Sequence, residues 1–140
     1  MKNVQRVILT LQLLLVSVAV NAEISVIINP GTGVSSADIK IIKKIFLSKK
    51  SSIDGVDVIA VDQEEGSAIR DEFYLKVTKK NAAKLKNYWS KMIFSGKAVP
   101  PDVVGDDAAV VSWVAKKKNG IGYVNSSAVN GTVKVILTIP

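Results

Sequence analysis

The chain has 140 residues, 19 of them basic and 12 acidic, and contains neither cysteine nor histidine. Without those residues it lacks disulfides, thiolate nucleophiles, imidazole bases and the usual zinc or copper ligands, so a non-catalytic protein with no cofactor and no metal is expected. The net charge of +7 favours anionic partners in general, although the lysines are spread along the chain as solvated helix faces would place them.

Lys2 and Arg6 precede an apolar run from Val7 to Val20, which ends at Val20-Asn21-Ala22 before Glu23. That run is too short for a hydrocarbon core of about 30 Å, which takes roughly 20 residues to cross. The pattern therefore predicts a cleaved signal peptide over residues 1–22 and one α/β domain over residues 23–140. Removing Lys2 and Arg6 leaves seventeen basic residues against twelve acidic ones, a charge of +5. The expected product is periplasmic or secreted, soluble, not inserted in a membrane and not lipid-anchored, since no cysteine is present. Export also argues against a nucleic-acid partner.

Ile24 to Ile28 reads as a buried strand bounded by Asn29-Pro30-Gly31. Ser35 or Ser36 is expected to begin a helix, with Asp38 at its third position and Ile39, Ile42, Ile45 and Phe46 forming one apolar face. Lys49 to Gly55 is polar and is expected to be a loop, followed by a strand over Val56 to Val61 and a turn from Asp62 to Gly66. A helix starting near Ser67 carries Ile69, Phe73 and Val77 inward. Asn81 caps the next, in which Leu85, Tyr88, Trp89, Met92 and Ile93 share a side. Pro100-Pro101 ends that pattern. Asp106 and Asp107 open a fourth helix ending in Lys116 to Lys118, followed by strands over Ile121 to Val124 and Val133 to Ile139. Alternation of strands and helices predicts an α/β fold with a mostly parallel or mixed sheet flanked by helices.

The segment Asp62-Gln63-Glu64-Glu65-Gly66-Ser67-Ala68-Ile69-Arg70 holds a strand end, a glycine turn, a helix start and an arginine within nine residues. Free N–H groups at such a helix start carry partial positive charge and can hold an oxyanion, with the Ser67 hydroxyl and the Arg70 fork adding donors. The plainer alternative makes Ser67 an N-cap and pairs Arg70 with Glu64, Glu65 or Asp71. The turn from Asn29 to Ser36 is a second hydroxyl-rich junction. Gly31 and Gly33 begin a dinucleotide-type spacing, but Ser36 stands where its third glycine would be, so helix capping is the simpler account. At the third junction, Asp106 and Asp107 would repel an anion and are assigned to capping. Trp89, Tyr88 and Trp113 are read as core. Asn125-Ser126-Ser127 and Asn130-Gly131-Thr132 match a glycosylation sequon too short to carry weight.

Three segments give a family likeness: Ile45-Phe46-Leu47-Ser48-Lys49, Gly66-Ser67-Ala68-Ile69-Arg70 followed by Phe73, and Asn119-Gly120-Ile121-Gly122-Tyr123-Val124. Their order resembles the "IFLGK", glycine-serine loop and "GAIGYV" stretches of the phosphate-binding proteins of bacterial ABC importers, within the type II periplasmic binding proteins. Tyr88-Trp89, Phe94-Ser95-Gly96 and Pro100-Pro101 extend the likeness. The resemblance implies one lobe of that fold and inorganic phosphate or a related oxyanion as ligand, with an ABC importer membrane component or a second copy of the chain as partner. It also implies that Gly66, Ser67 and Arg70, with Gln63 in the turn, contact the ligand, and that Ser35 and Ser36 lie near the same cleft. Asp106, where relatives often carry Ser, departs from the pattern. So does the length, which suffices for about one of the family's two lobes. The alternative is a single-lobe interaction or regulatory module of the cell envelope that no longer binds a ligand.

Overall fold

The computed structural model describes residues 22–140, so the expected signal peptide lies outside the described residues except for Ala22. None of the described helices is long and apolar enough to cross a membrane.

Strands β1 (Ile24–Ile28), β4 (Ile59–Gln63), β5 (Asp102–Gly105), β6 (Gly120–Asn125) and β7 (Lys134–Ile139) form one sheet in the order β5-β4-β6-β1-β7. The sheet is mixed. β4 runs parallel to β5 and β6, whereas β1 runs antiparallel to both β6 and β7. A hairpin of β2 (Ser52–Ile53) and β3 (Val56–Asp57) occupies most of the stretch expected to be a loop, and the strand expected over Val56 to Val61 breaks at Val58.

Helices α1 (Ile39–Phe46), α2 (Ala68–Thr78) and α3 (Ala82–Phe94) cover one face. They pack on alternate strand residues, Ile24, Val26 and Ile28 of β1 with Ile121 and Tyr123 of β6. Helix α4 (Asp107–Lys116) covers the other face, where Val110, Val111 and Val114 meet Ile27, Val61 and Val124. All five residues of β1 are buried, as expected of a strand with helices on both sides.

Three helix starts follow the sequence closely. Ser67, Asn81 and Asp106 are the N-caps of α2, α3 and α4. The start of α1 is a correction: its N-cap is Asp38, whose carboxylate accepts from the Ile41 N–H at 2.9 Å. Ser35 and Ser36 precede the helix in irregular chain, where the Ala37 N–H donates to the Ile136 carbonyl and ties this segment to β7. A second correction concerns α3, where Leu85 and Trp89 are buried but Ile93 is exposed. β5 follows Pro100-Pro101 directly and was not expected. Four residues, the first two exposed, leave no periodicity to read.

The close approach of α4 to β6 requires a missing side chain. A Cβ on Gly122 would come within 2.6 Å of Val110 Cγ1.

Candidate functional site

β4 and β5 are parallel neighbours whose following helices leave on opposite faces of the sheet, α2 on one and α4 on the other. In open α/β sheets such a reversal creates a crevice beyond the carboxyl ends of the strands, where ligands bind. The starts of α2 and α4 flank that crevice.

The turn into α2 bends at Gly66, whose φ of +86° lies in the left-handed region that glycine enters without a steric penalty. Ser67 then caps the helix, its Oγ accepting from the Arg70 N–H at 3.4 Å, a long bond. The N–H groups of Ala68 and Ile69 have no acceptor among the described residues, as the first turn of a helix leaves them. The first turn of α2, which follows β4, therefore carries two backbone donors without acceptors and a half-buried hydroxyl.

Arg70 turns inward. Its Nε lies 3.8 Å from Asp62 Oδ2, with the Arg70 side chain 13% exposed and that of Asp62 only 1%. It thus faces Asp62 instead of Glu64, Glu65 or Asp71. At 3.8 Å this is an ion pair without a hydrogen bond, and the guanidinium makes no hydrogen bond among the described residues. Its carbon also lies 5.8 Å from the centre of the Tyr74 ring, within cation–π range.

Asp62 is the anchor beneath the site. Its carboxylate accepts from the Tyr74 hydroxyl at 2.7 Å, the Tyr123 hydroxyl and the Gln63 N–H at 2.8 Å. A buried charge is tolerable when hydrogen bonds satisfy its oxygens in this way. Burial, with the Asp62 charge adding to it, pushes both tyrosine hydroxyls well above their ordinary range, so they stay protonated as donors. The two rings belong to an aromatic cluster in which Tyr123 stacks on Phe73 at 3.8 Å and Phe73 meets Phe46 edge-on. The sequence predicts that Asp62 begins a turn. β4 instead continues to Gln63, which draws Asp62 into the core.

Gln63 is buried and internally committed. Its Nε2 donates to Asp107 Oδ1 at 2.7 Å and to the Tyr123 carbonyl at 3.0 Å. Asp107, read as part of a cap, binds the Gln63 amide while Asp106 caps α4 alone. Gln63 therefore ties β4, β6 and α4 together and has no free donor to offer.

Ser35 and Ser36 do not share this crevice. Both are exposed, and Ser35 Oγ accepts from Lys134 Nζ at 3.4 Å beside β7. That edge strand lies three places from β4, roughly 14 Å across the sheet. Because β1 is antiparallel to β6, its carboxyl end also lies at the opposite end of the sheet from Gln63. The structure therefore groups Gly66, Ser67 and Arg70, uses Gln63 as a brace, and separates Ser35 and Ser36.

No protein-family model matches the chain, and no curated protein matches it in sequence. Solved structures do. The chain is similar to a Clostridium perfringens protein assigned as a phosphate ABC transporter substrate-binding protein, solved with bound phosphate, at TM-score 0.64 and 22% identity over 82% of this chain and 45% of that one. It is similar to an ABC-type phosphate transport receptor from Vibrio cholerae at TM-score 0.64 and 15% identity, over 82% and 46%. It is also similar to PstS from Borrelia burgdorferi at TM-score 0.60 and 12% identity, over 82% and 47%. The chain spans less than half the length of the solved proteins it matches, and over that span it has the fold of phosphate ABC transporter substrate-binding proteins.

Proposed function

We propose that the protein is an exported, non-catalytic solute-binding protein that takes phosphate or a related tetrahedral oxyanion at the start of α2. What supports the reading is that the first turn of α2 carries Ala68 and Ile69 N–H groups without acceptors, the Ser67 hydroxyl and Arg70, whose guanidinium lacks a hydrogen-bond partner among the described residues. A helix start supplies partial positive charge and directed donors to an anion. Arginine adds a fork that matches two oxygens at once. The likeness to phosphate-binding proteins, one of them solved with phosphate, supports the same ligand class.

Two features set the strength of binding. Glu64 and Glu65 are exposed just before the helix and repel an anion, and Asp62 shares the charge of Arg70. Among the described residues the start of α2 is open to water on its outer side, so an anion held there stays partly hydrated and each charge-assisted bond contributes less. Affinity is therefore weak in a monomer and rises if a second copy of the chain, or an importer's membrane component, covers the ligand. Titration calorimetry with phosphate and sulfate tests this. Heat that saturates at millimolar ligand or below is expected, and its absence for monomer and dimer alike overturns the reading.

The second reading, a module that works by protein contact, draws on a different observation. Phe94 is 96% exposed, and Ile93, Val99 and Val103 are exposed close to the open edge of β5. Apolar surface gathered beside an unpaired strand is a usual mark of an interaction site. Ser67→Ala and Arg70→Ala proteins that keep the parent's behaviour would favour it.

A further inference from the structure

Beside the start of α2 lies a cleft of about 340 Å³ whose walls come from α2, α3 and the approach to β5. Its apolar wall consists of Leu85, Ile93, Pro100 and Val103. Ile93 and Val103 are 55% and 53% exposed, so the cleft leaves apolar surface in water. One donor group without a hydrogen-bond partner belongs to the same walls, the Arg70 guanidinium, which is largely withdrawn from solvent.

A donor withdrawn from water without an acceptor is costly, so such groups are rare unless something supplies an oxygen. Here the unpaired group is the Arg70 guanidinium, and it stands beside hydrocarbon. A ligand that satisfies both requirements has an oxyanion head and an apolar body. Glu65 and Asp71, which also line the cleft, are exposed and hydrated, as is Lys86. Arg70 is the cation of the cleft most withdrawn from water, which fixes where the head must sit.

We propose that this cleft binds an amphipathic organic oxyanion, a phosphate monoester or carboxylate on an apolar chain, with the head at Arg70 and the start of α2 and the body along Leu85, Ile93, Pro100 and Val103. The proposal rests on the oxyanion reading of α2 and names the ligand class that the adjoining cleft selects. The volume is within the range of small-ligand sites, which are mostly apolar with a few placed polar groups.

The test is calorimetry on the purified protein with hexyl phosphate, inorganic phosphate and hexanol. Hexyl phosphate is expected to bind at least about tenfold more tightly than either control, since each buried methylene adds to the head's contribution. The exposed-site double variant Ile93→Ser with Val103→Ser, which leaves the core intact, is expected to abolish that advantage while phosphate binding stays unchanged. Arg70→Gln is expected to weaken both phosphates. Equal binding of hexyl phosphate and inorganic phosphate overturns the cleft proposal and leaves the oxyanion reading standing. Equal binding of hexyl phosphate and hexanol overturns the role given to the head, and absence of binding by any probe overturns both.

Discussion

Arg70 Nε stands 3.8 Å from Asp62 Oδ2, so the cation best placed to hold an anion already faces a buried carboxylate that two tyrosine hydroxyls hold in place. That relationship joins the stability of the core to the chemistry of the crevice, and it makes the two separable by mutation.

Replacing Asp62 by Asn leaves the Tyr74 and Tyr123 hydroxyls competing for one acceptor oxygen in a buried site. A loss of about 2–4 kcal/mol in urea unfolding is expected, as for breaking a buried charged network. The same change removes the internal counter-charge of Arg70, so the folded variant binds phosphate more tightly than the parent. A variant with unchanged stability and unchanged affinity contradicts the role given to Asp62.

The raised ionisation of Tyr74 and Tyr123 predicts how stability depends on pH. Burial, and then the Asp62 charge, keep both phenols protonated in the folded state. In the unfolded chain tyrosine ionises near pH 10. Unfolding above that pH therefore releases protons, and stability that is complete below about pH 10 falls as pH rises, by about 1.4 kcal/mol per pH unit for each tyrosine. Denaturation curves between pH 8 and pH 12 are expected to show this fall. Tyr123→Phe lowers the plateau and reduces the slope, leaving the share of Tyr74 and that of Tyr88, whose ionisation burial also raises. A slope that Tyr123→Phe leaves unaltered would sink this account.

Gly122→Ala introduces a methyl group 2.6 Å from Val110 Cγ1, in contact between α4 and β6. Overpacking of this kind costs typically about 1–3 kcal/mol. The expected consequence is a lower denaturation midpoint with the m-value unchanged. An unaffected midpoint would mean that α4 can withdraw without cost.

Ser67→Ala removes a cap whose hydrogen bond is long, 3.4 Å. The stability loss should fall at the low end of the range for such caps, about 0.5–1 kcal/mol. On the proposed reading phosphate affinity falls as well, because the hydroxyl would also donate to the ligand. Thermal unfolding with and without phosphate measures both effects on one sample.

What the residues revealed in advance was mostly local. Gly66-Ser67 and Asn81 announce their helices because a cap needs only a side chain and the turn it serves. The start of α1 misled for the same reason. Ser35 can cap a helix, but Ala37 is held to Ile136, a partner 99 residues away, and a hydrogen bond to a distant strand outweighs a local preference. The direction of β1 is set by its antiparallel pairing with β6 and β7, strands near the other end of the sequence, which no periodicity records. Asp62 was hidden most completely. Its partners are a tyrosine one helix later and another 61 residues on, and an acidic run before a glycine reads as a turn until β4 is seen to continue through it. For that reason the grouping of Gly66, Ser67 and Arg70 at one helix start was legible, whereas the carboxylate beneath Arg70 and the committed amide of Gln63 were not.

The most direct test of the central claim is a phosphate titration followed by calorimetry on the parent and on Arg70→Gln, each as monomer and at concentrations that favour association. Saturable binding at millimolar phosphate or below, weakened at least about tenfold in Arg70→Gln and strengthened by association, is the predicted result. No saturable heat in any state of the parent, or equal affinity in parent and variant, would contradict an oxyanion site at the start of α2.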